Sequence, residues 1–271
     1  MTNLIKRSLS GFIFASVLIF SILYSKISFI FLFFILMMLC LYEFKKMIQL
    51  KSIFPYLIGT LLFIFVNILG VKDIPNEIIF EYVGVALFLT IFISFASILF
   101  AKKEEVISHL GKIFLSIIYI VVPFTLIVKI PFLNTSFNYV NTTILGVFLL
   151  IWTNDTFAFL IGSNIGKHKL LERISPNKTI EGFIGGMVFT FTLSYFLAQQ
   201  FTTLSLIQWI VIAAIVSVFG VLGDLIESMF KRQAGVKDSS NFIPGHGGFL
   251  DRFDSVIFAA PFIFIYLQIV Q

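Results

Sequence analysis

Nine apolar runs, at residues 8–24, 27–42, 53–70, 79–100, 111–131, 143–162, 182–199, 205–223 and 253–270, take up most of the chain. Each comes close to the about 20 residues that a helix rising about 1.5 Å per residue needs to cross a hydrocarbon core of about 30 Å. The expected fold class is therefore all-α, a polytopic integral membrane protein with about nine transmembrane helices. Composition removes the alternatives. With 59% hydrophobic and 12% charged residues, the chain has half the about 25% charge of soluble domains. With 36 Phe it is too apolar to remain solvated as a disordered chain.

The 19 Lys and Arg residues set the orientation. With nine spans, one side of the membrane receives Lys6, Arg7, Lys45, Lys46, Lys51, Lys102, Lys103, Lys112, Lys167, Lys169, Arg173, Lys178, Lys231, Arg232, Lys237 and Arg252. The other side receives only Lys26, Lys72 and Lys129. Cytoplasmic loops carry the excess of basic residues, so the N-terminus is expected to be cytoplasmic and the C-terminus outside. Lys6 and Arg7 ahead of an apolar run also fit a signal peptide. No small-residue cleavage pattern follows, and a second span begins directly after Ser25 and Lys26. The first run is therefore expected to be retained as one arm of a helical hairpin turning at Lys26. The net charge of +5 then reflects topology, and no nucleic-acid partner is expected.

Cys40 is the single cysteine, which excludes an internal disulfide and a Cys-based metal cluster. His109, His168 and His246 are too scattered for a local zinc motif. A catalytic metal should instead be a hard ion held by carboxylates. Two segments expected to be cytoplasmic loops, 163–181 and 224–251, are long and rich in Gly, Ser, Asn, Asp, Lys and Pro. Polar chemistry is expected there, held in place by rigid helices. The chain thus divides into residues 1–142, a scaffold of transmembrane helices, and residues 143–271, a catalytic transmembrane region.

Asp155 interrupts an otherwise apolar run. A carboxylate near mid-span costs about 2.5 to 3.5 kcal/mol on insertion scales, so it should be paired, bound to metal or facing water. Asp224 ends the run VIAAIVSVFGVLG, and Glu227 follows at an i, i+3 spacing that places both on one helical face. Between 224 and 254, Asp224, Glu227, Asp238, Asp251 and Asp254 alternate with Lys231, Arg232, Lys237 and Arg252. This mixture suits a phosphate beside Mg²⁺, the acids holding the ion and the cations the anionic oxygens. The turn PGHGG at 244–248 permits close approach of backbone to a ligand, and its amides suit a phosphate nest. Residues 162–182 add Lys167, Lys169 and Lys178 ahead of a helix N-terminus, another place for phosphate.

Residues 228–254, SMFKRQAGVKDSSNFIPGHGGFLDRFD, resemble the signature of the phosphatidate cytidylyltransferases, the bacterial CDP-diacylglycerol synthases. The resemblance rests on Ser228, Lys231, Arg232, Lys237, Asp238, Pro244, His246, Gly247, Gly248, Asp251, Arg252 and Asp254. Upstream, Asp155 and Thr156 fit the family's acidic span, KHKL at 167–170 its basic loop, and 175–182 its SPxKTxEG-like element. Ser163, Ile165, Asn177 and Ile180 stand where family members usually carry Arg, an aromatic residue, Lys and Trp. The N-terminal half resembles the family in hydropathy and length only.

The resemblance implies a reaction in which CTP and phosphatidate give CDP-diacylglycerol and pyrophosphate. It also implies a divalent-cation-dependent, homodimeric enzyme of the bacterial inner (cytoplasmic) membrane, with its active site facing the cytoplasm and its dimer contact in the N-terminal helices. Mg²⁺ would fall to Asp224, Asp251 and Asp254, with Glu227 or Asp155 as a further ligand or supporting group. Lys231, Arg232, Lys237 and Arg252 would clamp phosphate, aided by Ser228, Gly247 and Gly248, with Lys167 and Lys178 reaching across from the facing loop. Asp238 is a further catalytic candidate, and His246 would contact phosphate, lock the glycine turn or act in proton transfer. Cytidylyl transfer to another lipid phosphate is the enzymatic alternative. A membrane transporter is a third reading, disfavoured because the acids and bases gather in one half of the chain.

Overall fold

The computed structural model describes residues 2–67, 106–133, 138–245 and 247–270, together with positions 85, 88, 89, 92 and 93. Its helices are α1 (Thr2–Tyr24), α2 (Lys26–Met47), α3 (Phe54–Asn67), α4 (Val106–Phe132), α5 (Asn141–Ile165), α6 (Ile180–Gln200), α7 (Leu206–Ala234) and α8 (Leu250–Val270). Six of them, α2 and α4 to α8, are long and apolar enough to cross a membrane. The chain is therefore an all-α, polytopic membrane protein in its architecture. Apart from those five positions, the expected span at 79–100 lies outside the described residues, as do Lys72, Lys102, Lys103 and His246.

Local chemistry explains the boundaries. Lys26 was expected at the turn of the first hairpin, but Ser25 alone separates α1 from α2, and Lys26 is already helical. Ser25 and Ser28 form a reciprocal capping box, which satisfies two amides that a helix start leaves open. In α4, a π-helical turn at Ile117–Val121 runs into Pro123. Proline cannot donate the usual hydrogen bond, and a wider turn accommodates that loss.

α7 has 29 residues, which at about 1.5 Å each is longer than a hydrocarbon core of about 30 Å. The sequence suggests that the span ends at 223 with a loop from 224, yet the helix runs on to Ala234. Nothing breaks it before Gly235, which adopts φ 69 as a left-handed C-cap, and Lys231 and Arg232 complement the negative end of the helix dipole. The surplus length carries Asp224, Glu227 and Lys231 on a rigid rod.

The interior is aromatic. Phe33 of α2 packs against Phe124 of α4, Phe148 of α5 and Phe253 of α8, with ring centroids 6.3, 5.9 and 6.1 Å apart. All four rings are buried, in accord with phenylalanine as packing material here. Between α5 and α6 the contact is made by glycine. A β-carbon on Gly182 would lie 2.6 Å from the Ala158 carbonyl, one on Gly186 2.8 Å from that of Asn154, and one on Gly185 would strike Ile161. Small residues let the two helices close together as they do in other membrane bundles. The expected loop at 163–181 is in part a β-hairpin, β1 (Lys169–Leu171) antiparallel to β2 (Ser175–Thr179). The close α5–α6 contact and this hairpin set Lys178 beside the end of α5.

Candidate active site

Four elements meet at one end of the bundle and enclose a cavity of about 720 Å³. α5 brings Asp155, β2 brings Lys178, α7 brings Asp224, and α8 brings Asp251, Arg252 and Asp254. Thr179 caps α6 by accepting a hydrogen bond from the Gly182 amide at 3.1 Å. Lys178 is thereby fixed one residue before the cap, and its Nζ lies 2.5 Å from Asp224 Oδ2. Arg232 of α7 donates to the Ile174 carbonyl at 3.4 Å, a second tie between the hairpin and α7. The two segments expected to carry the chemistry therefore lie on the same side of the molecule and share one cavity.

Lys231 Nζ bridges two carboxylates, 2.5 Å from Glu227 Oε2 and 2.7 Å from Asp251 Oδ1, the latter a residue of the cavity lining. Asp251 is fully engaged. Its Oδ2 accepts from the Gly248 amide at 2.7 Å, the Ser239 amide at 3.0 Å and the Ser239 hydroxyl at 2.9 Å. The loop between α7 and α8 is thus folded around the Asp251 carboxylate.

Glu227 is in a different position. It is 0% exposed, and apart from the Lys231 ion pair neither of its oxygens has a hydrogen-bond partner among the described residues. Buried carboxylate oxygens normally find partners. Asp224, Glu227 and Asp254 each offer one oxygen, and these atoms lie within 4.8 Å of one another. Three carboxylates with unfilled acceptor capacity fit a hard divalent cation, so this trio could hold one. Asp251, expected among the metal ligands, has its oxygens engaged by Lys231, Ser239 and Gly248. Asp155 lines the same cavity, and Ser228 donates to Asp224 Oδ1 at 3.2 Å.

The other expected site residues are distributed around this centre. Lys237 and Asp238 are exposed on the loop after α7. Lys167 is exposed too, its amide bound to Glu181 Oε2 at 3.0 Å, while Lys169 rather than Lys167 lines the cavity. The space beside Gly247 and Gly248 is filled by the protein itself. A β-carbon on Gly247, where φ is 81, would lie 2.5 Å from Asp251 Oδ2, and one on Gly248 would collide with Ser239 Oγ and Glu43 Oε2.

Glu43 of α2 is the group that sequence reasoning passed over. It is 0% exposed and reaches the loop from the N-terminal half of the chain. The signal was available: the run expected at 27–42 stops just short of Glu43, and α2 continues through it to Met47. A carboxylate at the end of an apolar helix needs hydrogen-bond partners once it is packed inside the bundle.

A bundle of apolar helices with carboxylates and cations gathered in one cavity defines a class: an integral membrane protein with a charged cavity beside a carboxylate cluster that could hold a metal ion. The chain belongs to the cytidylyltransferase family, whose profile matches residues 5–270. It is 36% identical over 278 residues to the phosphatidate cytidylyltransferase of Bacillus subtilis (strain 168), an alignment spanning 99% of each chain. The phosphatidate cytidylyltransferase of Staphylococcus saprophyticus is 43% identical over 150 residues, covering 52% of this chain and 57% of the relative. That of Staphylococcus aureus (strain COL) is 52% identical over 126 residues, covering 46% and 48%.

Proposed function

We propose that this protein is a phosphatidate cytidylyltransferase, converting CTP and phosphatidate to CDP-diacylglycerol and pyrophosphate in phospholipid synthesis. Full-length similarity to the Bacillus subtilis enzyme supports the reaction. The observation that carries the site is the convergence of Lys178, Asp224, Arg252 and Asp254 on one cavity.

The chemistry follows from the substrates. Phosphatidate already carries an anionic phosphate, so its oxygen needs little help from a base. That oxygen forms a bond to the α-phosphorus of CTP, the bond from that phosphorus to the β-phosphate bridge breaks, and pyrophosphate leaves with the electron pair. The barrier is the approach of two anions, and cationic groups lower it. Arg252 and Lys178, which line the cavity, would bind phosphate oxygens, with Lys231, Arg232 and Lys237 as further cations. Asp224, Glu227 and Asp254 would hold Mg²⁺, which would supply charge neutralisation for the phosphates. Asp155 faces the same space as a further acid.

Nine spans, a cytoplasmic N-terminus and a site opening to the cytoplasm of a bacterial inner membrane are supported by the distribution of basic residues. Residues 1–142 serve as scaffold and dimer contact and 143–271 as catalytic region. The enzyme works as a homodimer without nucleic acid. The test is purified protein with labelled CTP and either phosphatidate or a polyprenyl phosphate, with and without Mg²⁺. Labelled CDP-diacylglycerol from phosphatidate alone, and only with Mg²⁺, is expected. A nucleotide product from the polyprenyl phosphate alone would overturn the acceptor assignment.

A further inference from the structure

We propose that Glu43 of α2 is a positioning residue for the transfer reaction, acting from the N-terminal half of the chain; this rests on the functional reading above. Its carboxylate is buried and accepts four hydrogen bonds from residues about two hundred positions away. Oε1 accepts from the Ser240 hydroxyl at 2.6 Å and the Phe249 amide at 3.0 Å. Oε2 accepts from the Ser239 hydroxyl at 2.9 Å and the Leu250 amide at 2.7 Å. The Phe249 and Leu250 amides open α8 and belong to the group that a helix start leaves without internal partners. An anion there also complements the positive end of the helix dipole. Glu43 is thus the N-terminal cap of α8, supplied by a different helix.

The cap is wired to the metal-binding trio. Ser239 Oγ lies 2.9 Å from both Glu43 Oε2 and Asp251 Oδ2, so the two carboxylates share one hydroxyl. The other oxygen of Asp251 holds Lys231, and Lys231 holds Glu227. Glu43 itself does not line the cavity. It acts through Ser239, Asp251 and Lys231, and it sets the pitch at which α8 presents Asp251, Arg252 and Asp254.

Four donors converge on Glu43, and only a carboxylate has acceptors for all of them. A glutamine would turn an NH₂ group toward two donors. Glu43→Gln is therefore expected to loosen the loop while leaving the size of the side chain unchanged. In the full-length protein in lipid vesicles, amide hydrogen exchange over 239–250 should rise about tenfold. The dissociation constant for Mn²⁺, measured by electron paramagnetic resonance without substrates, should rise and kcat should fall, each about tenfold, as expected for loss of charged hydrogen bonds. A purely structural role would lower the yield of folded protein while leaving Mn²⁺ affinity untouched. If Glu43→Gln does not accumulate, Ser240→Ala removes one of the four bonds and should move exchange and Mn²⁺ affinity in the same directions. Wild-type exchange and Mn²⁺ affinity in whichever variant accumulates would overturn the proposal. A wild-type protein that binds Mn²⁺ but forms no CDP-diacylglycerol would sink the functional reading, with exchange and Mn²⁺ binding still deciding the role of Glu43.

Discussion

Lys178 Nζ and Asp224 Oδ2 stand 2.5 Å apart although they come from a β-hairpin and from the end of a long helix. The pair closes one wall of the cavity and holds a cation next to a carboxylate of the proposed metal site. Both side chains keep partial access to solvent, 25% and 34%, so the pair contributes little to stability.

Lys178→Ala should lower kcat/KM for CTP by about a hundredfold, the scale seen when one transition-state donor is removed. The loss in folding stability should stay below about 1 kcal/mol, as for other accessible ion pairs. Steady-state kinetics and thermal unfolding in detergent check both halves; normal kcat/KM would remove Lys178 from the phosphate contacts.

Asp224→Asn and Asp254→Asn should each abolish Mn²⁺ binding and turnover while the protein remains folded. Asp251→Asn should behave differently, because both oxygens of Asp251 serve the loop and Lys231. It should cost about 3 to 5 kcal/mol of stability, as when a buried ion pair loses one partner. Equal unfolding temperatures for the three variants would contradict this division of labour.

Removing divalent ions with a chelator should stop turnover and lower the unfolding temperature, since the buried Glu227 carboxylate then has only Lys231 to balance it. Restoring Mg²⁺ at about a hundred times its dissociation constant should return about 2.7 kcal/mol. An unfolding temperature indifferent to Mg²⁺ in the absence of substrate would argue against an ion at Asp224, Glu227 and Asp254.

Gly248→Ala should reduce activity and stability together, the latter by about 1 to 3 kcal/mol for an overpacked site. The new methyl group meets Ser239 Oγ and Glu43 Oε2. Adding Ser239→Ala should recover part of the lost stability by removing one of the two clashes. No recovery in calorimetry would point to a different reason for the glycine.

Much of the site was legible in the sequence because its residues sit where their surroundings forbid them without a purpose. Asp155 lies inside an apolar run, and Asp224, Asp251 and Asp254 lie at the edges of two others. The segments after Gly162 and Asp224, expected to act together, line one cavity. The extent of α7 was less legible, since the polar residues from Asp224 onward suggest a loop while the helix needs only the absence of a breaker before Gly235. The hairpin at 169–179 was also hidden, because strands of three and five residues carry almost no periodicity.

The sequence alone determined that the chain is an all-α membrane protein and which family signature it bears, because apolar length and local residue chemistry are properties of short segments. Only the tertiary structure decided that Glu43 caps a helix some two hundred residues away, that Asp251 divides its oxygens between the loop and Lys231, and that Glu227 has no partner but Lys231 beside Asp224 and Asp254. A carboxylate has the same composition whether it holds a loop or awaits an ion. The donors that reach it decide between those roles, and they arrive from distant parts of the chain only when the helices pack.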